Sequence, residues 1–574
     1  MWPFPSMVFT GRISPRLDRL GPGGLILLLV LLSSAVCVLA TATASRASFP
    51  SLRDVTLEQL QRGLQQGCFS STDLVQAYLE RIRQVNGQVK AVTEVNPDAV
   101  HIAKRLDHER ARNAVRGPLH GVPILLKNNI ATGDKMGNTA GSLSLVGATV
   151  PRDSTIARKL REAGAIILGK SNLSQWANYR SYNSTNGWSA TDGQVYAAYH
   201  AKQDPGGSSS GSGVATDLGL GFAAVGTETS GSILIPAQCN NVVGIKPTVG
   251  LTSRYLVIPV SEHHDTVGPM ARTVRDAAHL LQAMAGRDAR DNYTAVIPSV
   301  PDYAAACKDG ALAGARIGVP WNVVLPADAG DRLSPPELDA FRTSLDVLRD
   351  AGAVIVEANL TRDTSPEGLR DRDTVLEADF VANLASYLAE LTSNPHGMHT
   401  LAQVRDFTRK TPAERYPDRN TGRWDPILDE PGFDNTDPRC WAAYRRVLRS
   451  ELAGGVLGAL RRHRLGAVVL PTSLAPGWIS AVGAPGVTVP MGHFPASTHV
   501  VTEPRGELVV VGPAVPFGLS FLGRRWSEAR LIALAYGFEQ RTRVRGRVRP
   551  LVMPEAEVAV SAACQRPRAD GASV

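Results

Sequence analysis

Cysteine is scarce in this chain: six residues in 574, at positions 37, 68, 239, 307, 440 and 564. No two of them form a CxxC pair, which argues against a zinc knuckle or a dithiol redox centre. A disulfide scaffold is not needed at a length that supports a sizeable core. The five cysteines beyond residue 44 allow at most two bridges within the chain. Aromatic residues are also few, at 6%, and charged residues make up 20%. Lys and Arg exceed Asp and Glu only by 61 to 53, a mild excess that gives no reason to expect a nucleic-acid partner. The densest basic run, Arg541, Arg543, Arg545, Arg547 and Arg549, reads as a solvated terminal tail. Internal repeats and long low-complexity tracts are absent.

Long apolar runs are lacking too. The stretch from Leu25 to Ala40, broken by Ser33-Ser34, is short of the ~20 residues a membrane-spanning helix needs. Arg12, Arg16 and Arg19 precede it, and the small-residue triplets Ala40-Thr41-Ala42 and Ala42-Thr43-Ala44 follow it. A basic segment, an apolar segment and an A-x-A site together read as a secretory signal peptide over residues 1–44, cleaved near Ser45. Left uncleaved, the same segment would be a signal anchor and the protein would sit on a membrane. The N-x-S/T triplets at Asn183, Asn292 and Asn359 fit a secreted glycoprotein, whereas Asn172 lies in an apolar stretch that predicts burial.

From residue 45 onward the pattern is that of one α/β domain. Thr56 and Gln59 form a capping box ahead of Leu57, Leu60 and Leu64 at helical spacing. Leu74, Tyr78 and Ile82 mark a second helix, ending near Asn86-Gly87. Val122–Leu126 reads as a buried strand that ends at Lys127, Ile156–Ala163 as a helix, Ala165–Gly169 and Phe222–Val225 as strands, and Ala271–Ala285 as a helix. Strands alternating with helices predict a layered α/β fold. Residues 361–432 are more polar and irregular than their flanks and read as a variable insertion or lid.

Two glycine- and serine-rich segments carry the chemistry: Gly206-Gly207-Ser208-Ser209-Ser210-Gly211-Ser212-Gly213 and Gly226-Thr227-Glu228-Thr229-Ser230-Gly231-Ser232. A phosphate loop is excluded, because Ser212 stands where that motif needs lysine. A nucleophile elbow on Ser209 would need a later histidine, and His396, His399 and His463 have no telling context. A flexible linker does not fit between ordered apolar segments. Combined with Lys127, however, the segments suit attack on an amide. An amide is a poor electrophile that needs an activated nucleophile and an oxyanion hole. A lysine at the end of a buried strand has its charged form disfavoured and can act as a base. Glycines let the backbone present a row of N–H donors.

These segments resemble the amidase signature family, together with Gly121–Asn129, Gly169–Ser174, Gly244–Thr248, Asp265–Arg272 and Gly518–Arg524. The similarity spans about residues 50–545 and thins between 300 and 465. The Glu228-Thr229 form of the loop is most similar to the peptide-amidase branch. The resemblance implies a central mixed β-sheet covered by helices on both faces. It implies a Ser–cis-Ser–Lys triad, with Ser232 as nucleophile, Ser208 as bridge after a cis peptide bond, and Lys127 as base. It also implies an oxyanion hole from the backbone of Thr229, Ser230, Gly231 and Ser232, and no metal or cofactor.

Three positions depart from the common family pattern. Asn128 replaces Asp, Ser230 stands where Asp or Gly is frequent, and Leu234 replaces Arg, which disfavours small carboxylate-bearing substrates. Trp176, Asn178 and Tyr179 are candidates to line the substrate channel, or else to pack. Lys170 and Lys246 read as structural. Glu262-His263-His264-Asp265 reads as a polar loop, with no metal. The expected activity is hydrolysis of a small-molecule or peptide amide. The competing readings are a biosynthetic tailoring amidase, a silent scaffold and an amidotransferase subunit. The oligomeric state stays open.

Overall fold

Strand β2 (Pro123–Lys127) lies between two parallel neighbours, β3 (Ile166–Ser171) and β4 (Ala223–Glu228), and all three are buried along their whole length. Strands flanked this way read as continuous apolar runs, which is why β2 and β3 were visible in the sequence. They belong to an 11-stranded mixed sheet. Its other members are β1 (Val92–Val95), β5 (Val243–Lys246), β6 (Thr266–Ala271), β7 (Arg316–Val319), β8 (Val354–Glu357), β9 (Ala467–Pro471), β10 (Gly486–His493) and β11 (Pro516–Leu522). The spatial order is β1-β3-β2-β4-β6-β5-β10-β11-β9-β7-β8. The predicted mixed α/β sheet is present, with helices packed against it.

The computed structural model describes residues 49–326, 333–429, 432–561 and 564. The signal segment, with Cys37, lies outside these residues. Residues Pro50–Ala559 form one compact unit. Among the described residues, no helix is long and apolar enough to cross a membrane.

Helix α1 (Leu57–Gln65) carries the predicted capping box. Helix α2 (Ser71–Val89) passes through Asn86-Gly87 and stops at Lys90, which takes a left-handed conformation. Asn86 spends its side chain on the backbone of Val92 instead of ending the helix. Helix α3 (Thr155–Glu162) matches expectation. Strand β4 runs three residues past Val225, to Glu228. Ala271 closes β6, so the next helix, α4 (Val274–Met284), begins only after its N-cap Thr273.

The polar stretch 361–432 is largely helical. It holds α5 (Pro366–Ala389) and α6 (Leu401–Lys410), and α5 packs on α7 (Pro438–Ala453). Three acidic residues of α5 are buried and paired: Asp371 with Arg446 at 2.6 Å, Glu377 with Arg370 at 2.8 Å and Asp379 with His263 at 2.8 Å. Buried carboxylates held by partners give a composition that looks like a surface loop. Arg545 likewise is not in a solvated tail, because it pairs with buried Asp217 at 2.6 Å. Cys68 and Cys564 are each in the oxidised, disulfide form, and Cys239, Cys307 and Cys440 are free.

Candidate active site

Lys127 ends β2 with its side chain wholly buried. Its Nζ touches Ser208 Oγ at 2.8 Å, Thr227 Oγ1 at 2.9 Å, Ser209 Oγ at 3.0 Å and the Thr227 carbonyl at 3.3 Å. Burial presses its pKa down to about 7, and Asp265 and Glu228 oppose the shift. A neutral amine has two N–H donors and one lone pair. Ser209 gives its hydroxyl proton to the Thr227 carbonyl at 3.1 Å, so towards Lys127 it acts as an acceptor. Asn129 donates to Thr227 Oγ1 at 3.1 Å. The arrangement leaves the lysine lone pair to accept the Ser208 proton.

Ser208 follows a cis peptide bond from Gly207 and is fully buried. Gly207 sits where a Cβ would lie 2.5 Å from Asn186 Oδ1, 2.7 Å from Ser174 Oγ and 2.8 Å from Asn178 Nδ2, so a larger residue would have to displace these polar side chains. Ser209, weighed in the sequence as an elbow nucleophile, is buried with Lys127 and Thr227 as its hydroxyl partners, and no histidine among them.

Ser232 lies on the loop between β4 and the short helix Leu234–Cys239. Its carbonyl accepts the Ser209 N–H at 3.2 Å, which ties this loop to the one carrying Ser208. No hydrogen bond joins the two hydroxyls Ser208 and Ser232 among the described residues. Glycine at 231 adopts φ +89°, a conformation that costs other residues about 1–2 kcal/mol. None of the N–H groups of Thr229, Ser230, Gly231 and Ser232 has an acceptor among the described residues. The ends of the loop are held by carboxylates. Glu228 Oε2 accepts the N–H groups of Ile233 at 2.8 Å and Leu234 at 3.0 Å, and Asp265 Oδ1 accepts the Thr229 hydroxyl at 2.6 Å.

The three channel candidates divide. Trp176 and Tyr179 are buried in a core cluster with Phe380 and Trp424. The Trp176 ring meets Trp424 edge-on at 5.9 Å, and the Tyr179 ring meets Phe380 at 4.9 Å. Asn178 is exposed and donates to Asn186 Oδ1 at 3.0 Å, beside Gly207. Trp176, Ala177 and Asn178 all have positive φ, at 52°, 54° and 67°. Three consecutive strained non-glycine residues persist only where packing holds them, and such strain collects at functional sites. Ala177 also borders a cavity of about 260 Å³ that is lined by Asn129, Thr227, Thr229, Asp265 and Tyr387.

Lys170 donates to the Ile130 carbonyl and Asn138 Oδ1, both at 2.5 Å, and Lys246 to the Ala484 carbonyl at 2.8 Å. Both are buried inside the scaffold. His263 and Asp379 form a buried pair at 2.8 Å, with Glu262 close by. His264 meets Ser261 Oγ at 2.8 Å. Four residues of the site escaped the sequence reading in these roles: Ser209, Thr227, Asn129 and Asp265. Thr227 lies near the end of β4 and Asn129 two residues past the end of β2, and the pairing of β2 with β4 is the signal that would have brought them together.

The Amidase family model matches residues 73–532. A putative amidase of Arthroderma benhamiae is 50% identical over 539 residues, covering 89% of each chain. The structure of native peptide amidase from Stenotrophomonas maltophilia superposes with a TM-score of 0.77 at 36% identity, covering 89% of this chain and all of the other. A glutamyl-tRNA(Gln) amidotransferase component of Chromohalobacter salexigens is 31% identical over 509 residues, covering 86% of this chain and 97% of the other. The chain belongs to the amidase family. It is an amide-hydrolysing enzyme, on the fold of the peptide amidase branch.

Proposed function

We propose that this amidase works through a Ser232 acyl-enzyme, with Ser208 as proton bridge and Lys127 as base. The observation that carries the reading is a buried lysine with its pKa lowered to about 7, in hydrogen-bond contact with Ser208, next to a loop whose four N–H groups have no acceptor among the described residues. Ser232 Oγ attacks the amide carbonyl carbon. Its proton passes to Ser208 as the Ser208 proton passes to Lys127 Nζ. The oxyanion is held by the N–H groups of residues 229–232. As the C–N bond breaks, the proton returns through Ser208 to the leaving nitrogen. Water then cleaves the ester by the same relay, releasing the acid and restoring Ser232.

The substrate we propose is a peptide amide or small neutral amide. The Stenotrophomonas relative is a peptide amidase. Leu234, two residues beyond the nucleophile, offers no cation for a substrate carboxylate. The same substitution disfavours the amidotransferase reading. Ammonia release from a panel of peptide and small primary amides, by the wild type and by Ser232→Ala, tests the proposal. Wild-type release that Ser232→Ala abolishes supports it; equal release by the variant contradicts it.

For location we propose the secretory route, supported by the basic–apolar–AxA leader and the oxidised Cys68 and Cys564. Asn292 is the preferred glycan acceptor of the three triplets. It is exposed and makes no side-chain hydrogen bond among the described residues, while Asn183 and Asn359 are engaged with Asn420 and Asn322. A mature N-terminus near Ser45, read by Edman or mass spectrometry, is the expected result.

A further inference from the structure

Thr229 opens the loop of free N–H groups, and its hydroxyl is anchored on Asp265 at 2.6 Å. The other oxygen of Asp265 accepts the N–H groups of Val260 at 2.7 Å and Ser261 at 3.0 Å. Ser261 faces two ways. Its N–H goes to Asp265, and its hydroxyl donates to Asp379 Oδ2 at 2.5 Å. A serine hydroxyl has one proton, so His264 Nδ1, 2.8 Å from the same oxygen, must be the donor towards it. His264 is held neutral by burial, with its pKa lowered to about 4. His263 Nδ1 donates to Asp379 at 2.8 Å. Asp379 lies on α5. Asp379, Ser261, His263 and His264 are buried, and Asp265 and Thr229 are half-buried where the chain meets the cavity.

The same helix lines the cavity beside Thr227 and Thr229 through Asn383, Ser386 and Tyr387, with its C-cap Glu390. One helix of the polar segment therefore borders the cavity and, through two carboxylates and one serine, grips the start of the candidate oxyanion loop. A packing contact alone would not need a carboxylate saturated by three donors. Leaving such a group without its donors is costly, so each link fixes the next.

We infer that Asp379, acting through Ser261 and Asp265, is a positioning residue that sets the geometry of the Thr229–Ser232 N–H groups. The inference rests on the acyl-enzyme reading. Ser261→Ala is the sharpest probe. It removes the hydroxyl's bond to Asp379 together with the bond it accepts from His264, and it leaves both the Ser261 N–H bond to Asp265 and the His263–Asp379 pair in place. Loss of an entire oxyanion donor costs about 10²–10³ in rate, so a loosened loop should cost about 5- to 30-fold in kcat. KM should stay within about twofold, because the loss falls on the transition state.

Steady-state kinetics on Ser261→Ala, Asp379→Asn, Thr229→Val and the double variant Ser261→Ala/Thr229→Val test this, with Ser261→Thr as the conservative rescue. The expected outcome is a kcat loss in Ser261→Ala and Asp379→Asn, recovery in Ser261→Thr, and a double variant no slower than Thr229→Val alone. Unchanged kcat, a loss confined to KM, or losses that multiply in the double variant would overturn the inference. If Asp379→Asn does not fold, the Ser261 series decides. Wild-type activity that survives Ser232→Ala overturns the acyl-enzyme reading and the inference with it, whereas Ser232-dependent activity with multiplying losses overturns the inference alone.

Discussion

Lys127 and Lys170 end up on neighbouring strands, β2 and β3, both wholly buried and both pressed by burial to a pKa of about 7. Their surroundings differ in one respect. Lys170 faces a carbonyl and an amide oxygen, which only accept, so its N–H groups are consumed and no proton is on offer. Lys127 faces hydroxyls, which exchange protons, and one of them belongs to a serine on the loop tied to Ser232. A perturbed pKa therefore does not mark a base. The partner must be able to hand over a proton.

The largest expected effect separates the two lysines directly. Lys127→Met should lower kcat by about 10²–10⁴, the range expected for loss of a general base. Lys170→Met should leave the kcat of the folded enzyme within about threefold. Steady-state rates normalised to active-site titre check both, and a deep loss in Lys170→Met would break the contrast.

Next is the acid limb of the rate. Below pH 7 Lys127 gains a proton and loses its lone pair, so kcat/KM should fall tenfold per pH unit below about 7 and level off above it. An unshifted lysine would instead place the limb near 10.5. A profile flat from pH 5 to 8 would contradict the assignment of Lys127.

Stability should show the reverse ranking, with the smallest magnitudes. Lys170→Met strands the Ile130 carbonyl and removes a donor from Asn138, at a cost of about 1–3 kcal/mol. Around Lys127, Ser209 still reaches the Thr227 carbonyl and Asn129 still reaches Thr227 Oγ1, so Lys127→Met strands the buried Ser208 hydroxyl alone and should cost less than Lys170→Met at pH 7. The sign follows from linkage. Between the folded value near 7 and the ordinary 10.5, the unfolded state binds more protons, so each lysine makes wild-type stability rise with pH across that window. Relative to wild type, Lys127→Met should therefore lose stability as pH approaches 10.5. Thermal melts at pH 7 and pH 10 read both effects.

The lysine contrast is half legible in the sequence. Lys127 ends an apolar run, and the surrounding motifs are specific, so its burial and its link to Ser208 follow. Lys170 reads as structural, but its carbonyl partners come from a loop that no periodicity predicts. Trp176 and Tyr179 could not be placed, because what buries them is Trp424 and Phe380, more than 200 positions along the chain. Helix α5 is hidden because its Asp371, Glu377 and Asp379 point inward to paired partners, against the rule that polar means exposed. Asp265 stands in a histidine-rich cluster that draws attention to metal chemistry, while its carboxylate serves the loop carrying Ser232.

The most direct test of the central claim is where a covalent adduct forms. Labelling with a fluorophosphonate, followed by peptide mapping, should place the adduct on Ser232. It should be absent in Ser232→Ala, greatly slowed in Lys127→Met and at full rate in Lys170→Met. An adduct on Ser208 or Ser209, or labelling that persists in Ser232→Ala, would contradict the account.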